Sequence, residues 1–461
     1  MPHRMVLIAD PQLVDPHTYP RRGLALAATI FYTDQFMSRS YNTIQRTLAP
    51  MTTLFLGDLF DGGREWSHQQ SSLYAQALHL HEDAIPIIED PRGEPDWKDY
   101  SDDYWMKEYM RFLKIFPSWP HRRTIKTLPG NHDLGIGNGI REGVRDRFRT
   151  YFGEPSSVIS AGNHTVILLD SVSLSNDNNP TIYTPARDFL DSLPELLSTT
   201  PSTPKFPHAI QDAWTGPPPD EPPPTDHHRH QRPSQPPTIL LTHVPLYRPP
   251  ETPCGPTRES KSPIAIRAGY QYQNVLTPTL STEILDKTQA SYVFSGDDHD
   301  ACVVAHKTYT GHVREVTVKS FSLAMGIRRP GFYMVSLYTT DDDEGGDDTT
   351  ETVQGKLCLL PSPRAVWTLY IASLTATIIF ACVHVCRKPT RRPTGGAILP
   401  VAGNGSVKKW PQVEEEEEED KYSKKRRSAG GSLPLMLEVV KEVGGVVGVA
   451  IGWYVWLIWW W

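Results

Sequence analysis

Five times along this chain a run of apolar residues ends abruptly in a short polar motif, and the order of those endings restricts the fold more than any other feature. The motifs are Asp10-Pro11-Gln12; Gly57-Asp58-Leu59-Phe60-Asp61-Gly62-Gly63-Arg64; Gly130-Asn131-His132-Asp133; His243 within Leu241-Thr242-His243-Val244-Pro245; and Gly296-Asp297-Asp298-His299-Asp300. The runs before them are mostly continuous rather than alternating, the pattern of strands covered on both faces. Strands are expected at 5–9, 53–56, 124–128, 165–169, 238–242, 292–295 and 316–321, and helices at 24–39 and 104–116. Apolar strands interleaved with helical stretches predict an α/β architecture. In open α/β sheets ligands bind beyond the carboxyl ends of the strands, where these motifs fall. The runs 165–169 and 316–321 end instead in Asp170-Ser171 and Ser322, and are read as supporting strands.

At 461 residues the chain has room for one large domain with appendages. A formal net charge of −7 offers no basic surface, so no nucleic-acid partner is expected. Cys382 and Cys386 fall in an apolar segment, which leaves Cys254, Cys302 and Cys358. Their spacing forms neither a disulfide framework nor a metal knuckle, so thiol chemistry is not expected to be central. A Cys254–Cys302 or a Cys302–Cys358 pair stays open if the domain faces an oxidising compartment.

Residues 365–386 carry no formal charge and are long enough to cross a bilayer core of about 30 Å as a helix. A second uncharged stretch, 443–461, ends in Trp459-Trp460-Trp461, residues suited to the membrane–water interface. It also spaces Gly444, Gly448 and Gly452 four apart, as close helix packing requires. Between the two lies a charged loop, 387–442, with Arg387, Lys388, Arg391, Arg392, Lys424, Lys425, Arg426 and Arg427. Residues 336–364 read as an acidic linker. The positive-inside rule therefore puts the loop in the cytoplasm and the N-terminal domain, 1–335, on the lumenal side. The acidic run 414–420 reads as a solvated part of that loop. Met1-Pro2-His3-Arg4 leads straight into a short apolar run that is no signal sequence, so this topology predicts an anchor upstream of Met1. Residues 197–237, proline-dense and carrying His227, His228 and His230, read as a disordered insertion. Asn163-His164-Thr165 is a glycosylation sequon at the start of an expected strand.

Two adjacent divalent ions need carboxylate, imidazole and amide ligands with one carboxylate shared, and sit about 3.5–4 Å apart across a phosphoryl group. The motifs supply that inventory. Asp10 and Gln12, two apart at a strand exit, can turn toward one ion. Asp58 follows a glycine that permits close backbone approach and is the natural shared ligand. Asn131 offers an amide oxygen, His243 a nitrogen, and Asp297 and His299 can reach different ions. Each motif alone has a plainer reading: turn chemistry for Asp10-Pro11, a helix cap for Asn131 and Asp133, a satisfied core histidine for His243. Their joint occurrence favours a dinuclear site over five coincidences.

These five blocks resemble the calcineurin-like metallophosphoesterase superfamily, whose pattern is Asp-x-His, Gly-Asp-x-x-Asp, Gly-Asn-His-Asp/Glu, a lone His and Gly-His-x-His. The resemblance covers roughly residues 5–330. It implies a four-layer αββα sandwich of two mixed β-sheets, here followed by the C-terminal transmembrane helices. By that resemblance Asp10, Gln12, Asp58 and His299 hold one ion, and Asp58, Asn131, His243 and Asp297 the other. Gln12 stands where histidine is usual, and Asp297 replaces the first histidine of the last motif. Both still donate an oxygen, which shifts the set toward Mn2+, with Zn2+ or Fe2+ as alternatives.

A finer resemblance lies in Ala9-Asp10-Pro11-Gln12-Leu13-Val14-Asp15, in Asp34-Gln35-Phe36-Met37-Ser38-Arg39-Ser40-Tyr41 and in Ser295-Gly296-Asp297-Asp298-His299-Asp300. These are similar to the fungal branch of the GPI-anchor remodelling phosphoesterases, membrane enzymes of the endoplasmic reticulum and Golgi. That branch removes an ethanolamine-phosphate side branch from a mannose of the GPI glycan and licenses export of GPI-anchored proteins. The resemblance implies GPI glycolipid or GPI-anchored proteins as substrate and a lumenal catalytic domain. Within such a site His132 is expected to be the general acid for the leaving sugar oxygen, with Asp133 orienting it. Arg64 is expected to pair with a phosphate oxygen. Asp61, Asp298 and Asp300 are expected to fix histidine orientation or loop shape. Two other readings stay open: a weakly active or non-catalytic trafficking or cargo-sorting protein on the same fold, and a phosphoesterase of different substrate.

Overall fold

Strand β1 (His3–Ile8) shows how the sheets are built. Met5 and Leu7 point one way, into a core shared with Val166, Leu168, Ile239, Leu241 and Phe294. Val6 and Ile8 point the other way, against Met37, Tyr41, Ile44 and Phe112. A strand whose two faces are both buried has no polar phase, hence the continuous apolar run. The computed structural model describes residues 2–15, 22–66, 101–199, 237–269, 271–309, 311–338 and 352–387, together with 441, 444, 445 and 448.

Two mixed sheets face one another, and a separate pair is formed by β7 (Ala268–Gly269) with β8 (Tyr272–Gln273). The first has the order β13 (Val353–Leu359), β12 (Gly331–Leu337), β1, β2 (Thr52–Phe55) and β3 (Arg123–Ile125), with β1, β2 and β3 parallel. The second has the order β10 (Cys302–Thr308), β11 (Gly311–Thr317), β9 (Tyr292–Ser295), β6 (Thr238–Leu241), β5 (His164–Leu168) and β4 (Ser157–Ala161). Its β5, β6, β9 and β11 are parallel, and antiparallel hairpins close both edges. Helices α1 (Gly23–Thr47) and α2 (Asp102–Ile115) cover the outside of the first sheet through Met37, Tyr41, Ile44, Trp105 and Phe112. Two further short helices, α3 (Asn131–Leu134) and α4 (Glu142–Phe152), follow β3, and α5 (Ser171–Leu174) follows β5. Helices α6 (Pro180–Thr199) and α7 (Pro278–Thr288) cover the second sheet through Ile182, Leu190, Leu193 and Ile284. The result is the αββα layering that the resemblance implied.

Several boundaries differ from the sequence expectation. Helix α1 runs eight residues past position 39 because Met37, Tyr41 and Ile44 continue its buried stripe at helical spacing. The strand expected at 316–321 ends at Thr317, and Ser320 instead bridges to Ala9, which carries the chain between the two sheets. The expected linker 336–364 is a correction: β13 pairs along the whole of β12, and the compact N-terminal unit extends to Pro363. Most of β13 is exposed or only half-buried, so it lacks the apolar run that marks an inner strand. Helices α6 and α7 and strands β4, β10, β12 and β13 were not anticipated. Of the insertion at 197–237, residues 200–236 lie outside the described residues, as do 339–351, 388–440 and nearly all of the second apolar stretch at 443–461.

The C-terminal unit begins with helix α8 (Pro363–Arg387). Its segment Pro363–His384 is 22 residues long with mean hydropathy 2.0, long and apolar enough to cross a membrane. Leu369, Ile371, Leu374, Ile379 and Phe380 are exposed around it, an apolar surface that water would not favour.

Phe55 stands where β2 meets the outer helices, its ring 5.6 Å from Phe112 and 5.1 Å from Phe116. Phe55→Ala should cost about 3–5 kcal/mol of unfolding free energy, read as a lowered urea midpoint in the isolated 1–363 unit.

Candidate metal centre

All five motifs lie just past the carboxyl ends of parallel strands, three on the first sheet and two on the second, so they meet where the sheets converge. The backbone there is unusual. Asp10, Gln12, Asp58, Asp297 and His299 all have positive φ, at 47°, 30°, 52°, 68° and 64°. Left-handed backbone is costly for residues with a Cβ and persists only where surrounding contacts impose it. The neighbouring glycines show why these loops are crowded. A Cβ on Gly57 (φ 91°) would lie 2.6 Å from His243 Nδ1, and one on Gly130 would lie 2.0 Å from Asp58 Oδ1.

Asp10, Asp58 and His243 are buried, each offering a ligand atom within 4.8 Å of the others. His243 Nδ1 is 2.7 Å from the carbonyl of Leu56 and donates to it. That commits Nε2 to the centre, where it faces Asn131 Oδ1 at 3.2 Å, Asp58 Oδ1 at 3.3 Å and Asp297 Oδ1 at 3.6 Å. A ring nitrogen surrounded by three oxygens is held there by a proton or by a metal ion, and a carbonyl behind the ring is how metal-binding histidines are oriented. Asp58 accepts from the His132 amide at 2.8 Å through Oδ1 and from Gln12 Nε2 at 2.8 Å through Oδ2. Asp10 Oδ1 accepts from the Asp297 amide at 3.0 Å. The opposite oxygen, Asp10 Oδ2, and the carbonyl oxygen Gln12 Oε1 are buried with no hydrogen-bond partner among the described residues. Unpartnered buried oxygens are rare, and beside two further carboxylates they fit a divalent cation.

The electrostatics point the same way. Burial pushes the Asp10 carboxyl well above its usual range, and Asp58 and Asp297 add to the effect against the pull of His243. Burial also works against charge on Asp58, but His243, His132 and the His132 amide outweigh it and hold that carboxyl below its ordinary value. Burial disfavours a charged His243, yet Asp58, Asp10 and Asp297 hold its imidazole well above the ordinary range. One buried cation is demanded by this arrangement of acids. Burial keeps His299 below its ordinary value, within the fields of Asp58, Asp297, His132 and His243. A neutral imidazole is the form that ligates.

The remaining expected residues are placed as follows. His132 Nδ1 lies 2.8 Å from the carbonyl of Asp61 and 3.2 Å from Asp61 Oδ1, and its side chain is 25% exposed. Asp133 is a correction. Its oxygens accept from the amides of Leu59, Phe60 and Gly130, so it ties two motif loops together, while Asp61 is the acid on His132. Asp133 is pushed up to about 7, by burial first and by Asp58 next. Arg64 donates to the carbonyl of Asn131 at 3.1 Å, which places its guanidinium beside the centre. Asp298 pairs with Arg258, and Asp300 accepts from Lys319 and from the amides of Glu259 and Ser260. Both acids therefore hold the 254–262 loop. Cys254 in that loop is disulfide-bonded to Cys302, which leaves Cys358 free.

Several supports had no sequence signal. Ser320 Oγ donates to the Asp10 carbonyl at 2.8 Å, and the Gln271 carbonyl accepts from Asn131 Nδ2 at 3.1 Å. Arg147, between the rings of Trp66 and Trp105, donates to the carbonyls of Gly63 and Glu65 at 2.8 Å each. Glu315 is buried on β11 and accepts from Arg248 Nη2 at 2.7 Å, His306 Nε2 at 2.6 Å, Ser295 Oγ at 2.7 Å and the Leu246 amide at 3.1 Å. It thereby joins the His243 loop to Ser295, the last residue of the strand that leads to Asp297.

With that geometry in view, residues 4–301 match the calcineurin-like phosphoesterase family. The chain belongs to it. This is a family of metal-dependent phosphoric ester hydrolases, as the site suggests. The chain is similar to Cell division control protein 1 of Saccharomyces cerevisiae, 37% identical over 388 residues, covering 82% of this chain and 65% of the yeast protein. It is also similar to Metallophosphoesterase 1 of Gallus gallus, 27% identical over 327 residues (70% of this chain, 72% of the chicken protein). The Xenopus laevis protein of the same name is 26% identical over 336 residues (70% and 73%). The chain thus spans just under two thirds of the yeast relative.

Two outcomes are expected. Adding Mn2+ to chelator-treated protein should raise its melting temperature, with stabilisation of about 3 kcal/mol at 100-fold excess over Kd, and Asp10→Asn should remove most of that shift. Arg248→Met should destabilise by about 3–5 kcal/mol by stranding Glu315. Burial opposes charge on Glu315, but Arg248, His306 and Ser295 bring its pKa down to about 2 from 4.5. The stability it contributes is present above pH 4.5 and is lost as pH falls toward 2, so the variant should lose that acid-side dependence in chemical denaturation.

Proposed function

We propose that the chain is a membrane-bound dinuclear phosphodiesterase that removes ethanolamine phosphate from the GPI-anchor glycan and so supports export of GPI-anchored proteins. The observation that carries the hydrolase part is the buried Asp10–Asp58–His243 cluster with its two unpartnered oxygens, Asp10 Oδ2 and Gln12 Oε1. Asp10, Gln12, Asp58 and His299 would hold one ion, and Asp58, Asn131, His243 and Asp297 the other. Bound there, two cations supply activation of water and neutralisation of charge on the phosphoryl oxygens. The oxygen-rich donor set favours Mn2+.

The chain's own residues account for the rest. Gln12 and the His132 amide hold the Asp58 carboxylate in one orientation, and the Leu56 carbonyl fixes the His243 ring. His132 stands at the open side with Nδ1 engaged by Asp61, leaving Nε2 to give a proton to the departing sugar oxygen. Burial and Arg64 oppose charge on His132, but Asp58 and Asp61 together raise it above its ordinary value, which suits an acid. Arg64, held on the Asn131 carbonyl, is placed to meet a phosphate oxygen.

The substrate reading is supported by the motif resemblance set out above, and similarity to Metallophosphoesterase 1 supports the metal-dependent phosphoesterase part. An endoplasmic reticulum or Golgi setting, with the domain lumenal, is supported by the apolar helix, by the charge of the flanking sequence and by the Cys254–Cys302 disulfide, since such bonds persist in oxidising compartments.

Leaving-group dependence provides the test. Purified protein with Mn2+ should hydrolyse bis-p-nitrophenyl phosphate, and Asp58→Ala should abolish turnover. His132→Gln should lose about 10²–10⁴-fold on an ethanolamine-phosphate mannoside and far less on the nitrophenyl ester, whose leaving group needs no proton. Full turnover in Asp58→Ala would sink the dinuclear reading. Nitrophenyl turnover with an inert mannoside would sink only the substrate.

A further inference from the structure

Asn163 joins β4 to β5 in a two-residue turn whose central residues, Gly162 and Asn163, have φ of 53° and 58°. Positive φ at both positions is the type I′ hairpin turn, which favours asparagine and glycine, and it leaves the Asn163 side chain exposed at the tip. The next two residues, His164 and Thr165, are buried in β5 and complete the sequence Asn163-His164-Thr165. The turn sits at the amino end of β5, which is parallel to β6 and β9, whereas the metal centre lies beyond the carboxyl ends. Its closeness to the start of β1 agrees, since a Cβ on Gly162 would lie 2.6 Å from His3 Cβ.

We infer that Asn163 is an N-glycosylation site, carrying an oligosaccharide at the pole of the sandwich opposite the metal centre. This rests on the lumenal reading above. The donor is a lipid-diphosphate-linked oligosaccharide. The Asn163 amide nitrogen attacks the anomeric carbon and the nitrogen–carbon bond forms. The bond from that carbon to the diphosphate oxygen breaks, the lipid diphosphate leaves with the electron pair, and the amide proton passes to a base of the transferring enzyme. Thr165 becomes buried on folding, so transfer precedes closure of β5 into the sheet. Once attached, the glycan stands over β4, the edge strand of the six-stranded sheet, and hinders pairing of that edge with another chain. The substrate entrance, a full strand length away, stays open.

The chain holds a second sequon, Asn404-Gly405-Ser406, in the stretch assigned to the cytoplasm, and it serves as an internal control. With the protein tagged at its own locus, wild type should show one endoglycosidase-sensitive step in gel mobility. Asn163→Asp tolerates left-handed backbone and should lose the step while keeping bis-p-nitrophenyl phosphate hydrolysis; Thr165→Ser should keep both. Absence of the step in wild type, with the domain protease-protected in sealed microsomes, would overturn the site and leave the lumenal reading standing. Absence with the domain protease-accessible would overturn both. A step that survives Asn163→Asp and disappears in Asn404→Gln would also overturn both, because it places the loop in the lumen.

Discussion

The Asp58 carboxylate is the group around which the surrounding chain is arranged. One oxygen accepts from the His132 amide and the other from Gln12 Nε2, and His243 Nε2 stands 3.3 Å from the first. Three other motif loops, drawn from both sheets, thus converge on this one side chain. A carboxylate so buried is tolerable only with several donors and a compensating positive charge. Removing any of the loops would leave that charge without its partners. The same requirement explains the layers of support behind them, including Asp133 on the amides of Leu59, Phe60 and Gly130.

Holding these side chains this close bends the backbone. Asp10, Gln12, Asp58, Asp297 and His299 all adopt left-handed conformations, and each follows or closely follows a strand whose pairing fixes the direction of approach. Such strain is stable only because the sandwich behind it is rigid, with Leu7, Leu54, Leu241 and Phe294 fully or almost fully buried between the sheets. Glycine occupies the positions where even a methyl group would collide, Gly57 and Gly130, and there sequence conveys geometry directly.

Much of the centre was legible because its signals are local. An apolar run followed at once by Asp, Asn or His reads as a buried strand and its exit without knowledge of the rest of the chain. The inner strands follow from that pattern, and the structure groups Asp10, Asp58 and His243, with Gln12, Asn131 and Asp297 in contact with them. The edge strands were missed for the complementary reason. Strand β13, largely exposed or half-buried, has the composition of a surface segment, so 336–364 read as a linker. Helix α6 carries Pro185 and Pro194 inside it, which argue against a helix from composition alone.

What the chain's residue types settle on their own is the chemistry: oxygen and imidazole donors at strand ends, one membrane-length apolar helix, and membership of a phosphoesterase family. Which donor touches which was decided only on folding. Asp61 rather than Asp133 meets His132, Cys254 rather than Cys358 meets Cys302, and the Leu56 carbonyl, 187 residues away in sequence, turns His243 toward the centre. These contacts join loops from different sheets, and their partners are chosen by how the two sheets pack rather than by spacing along the chain. The contact geometry of the site therefore belongs to the sandwich, while the donors that line it are written in the motifs.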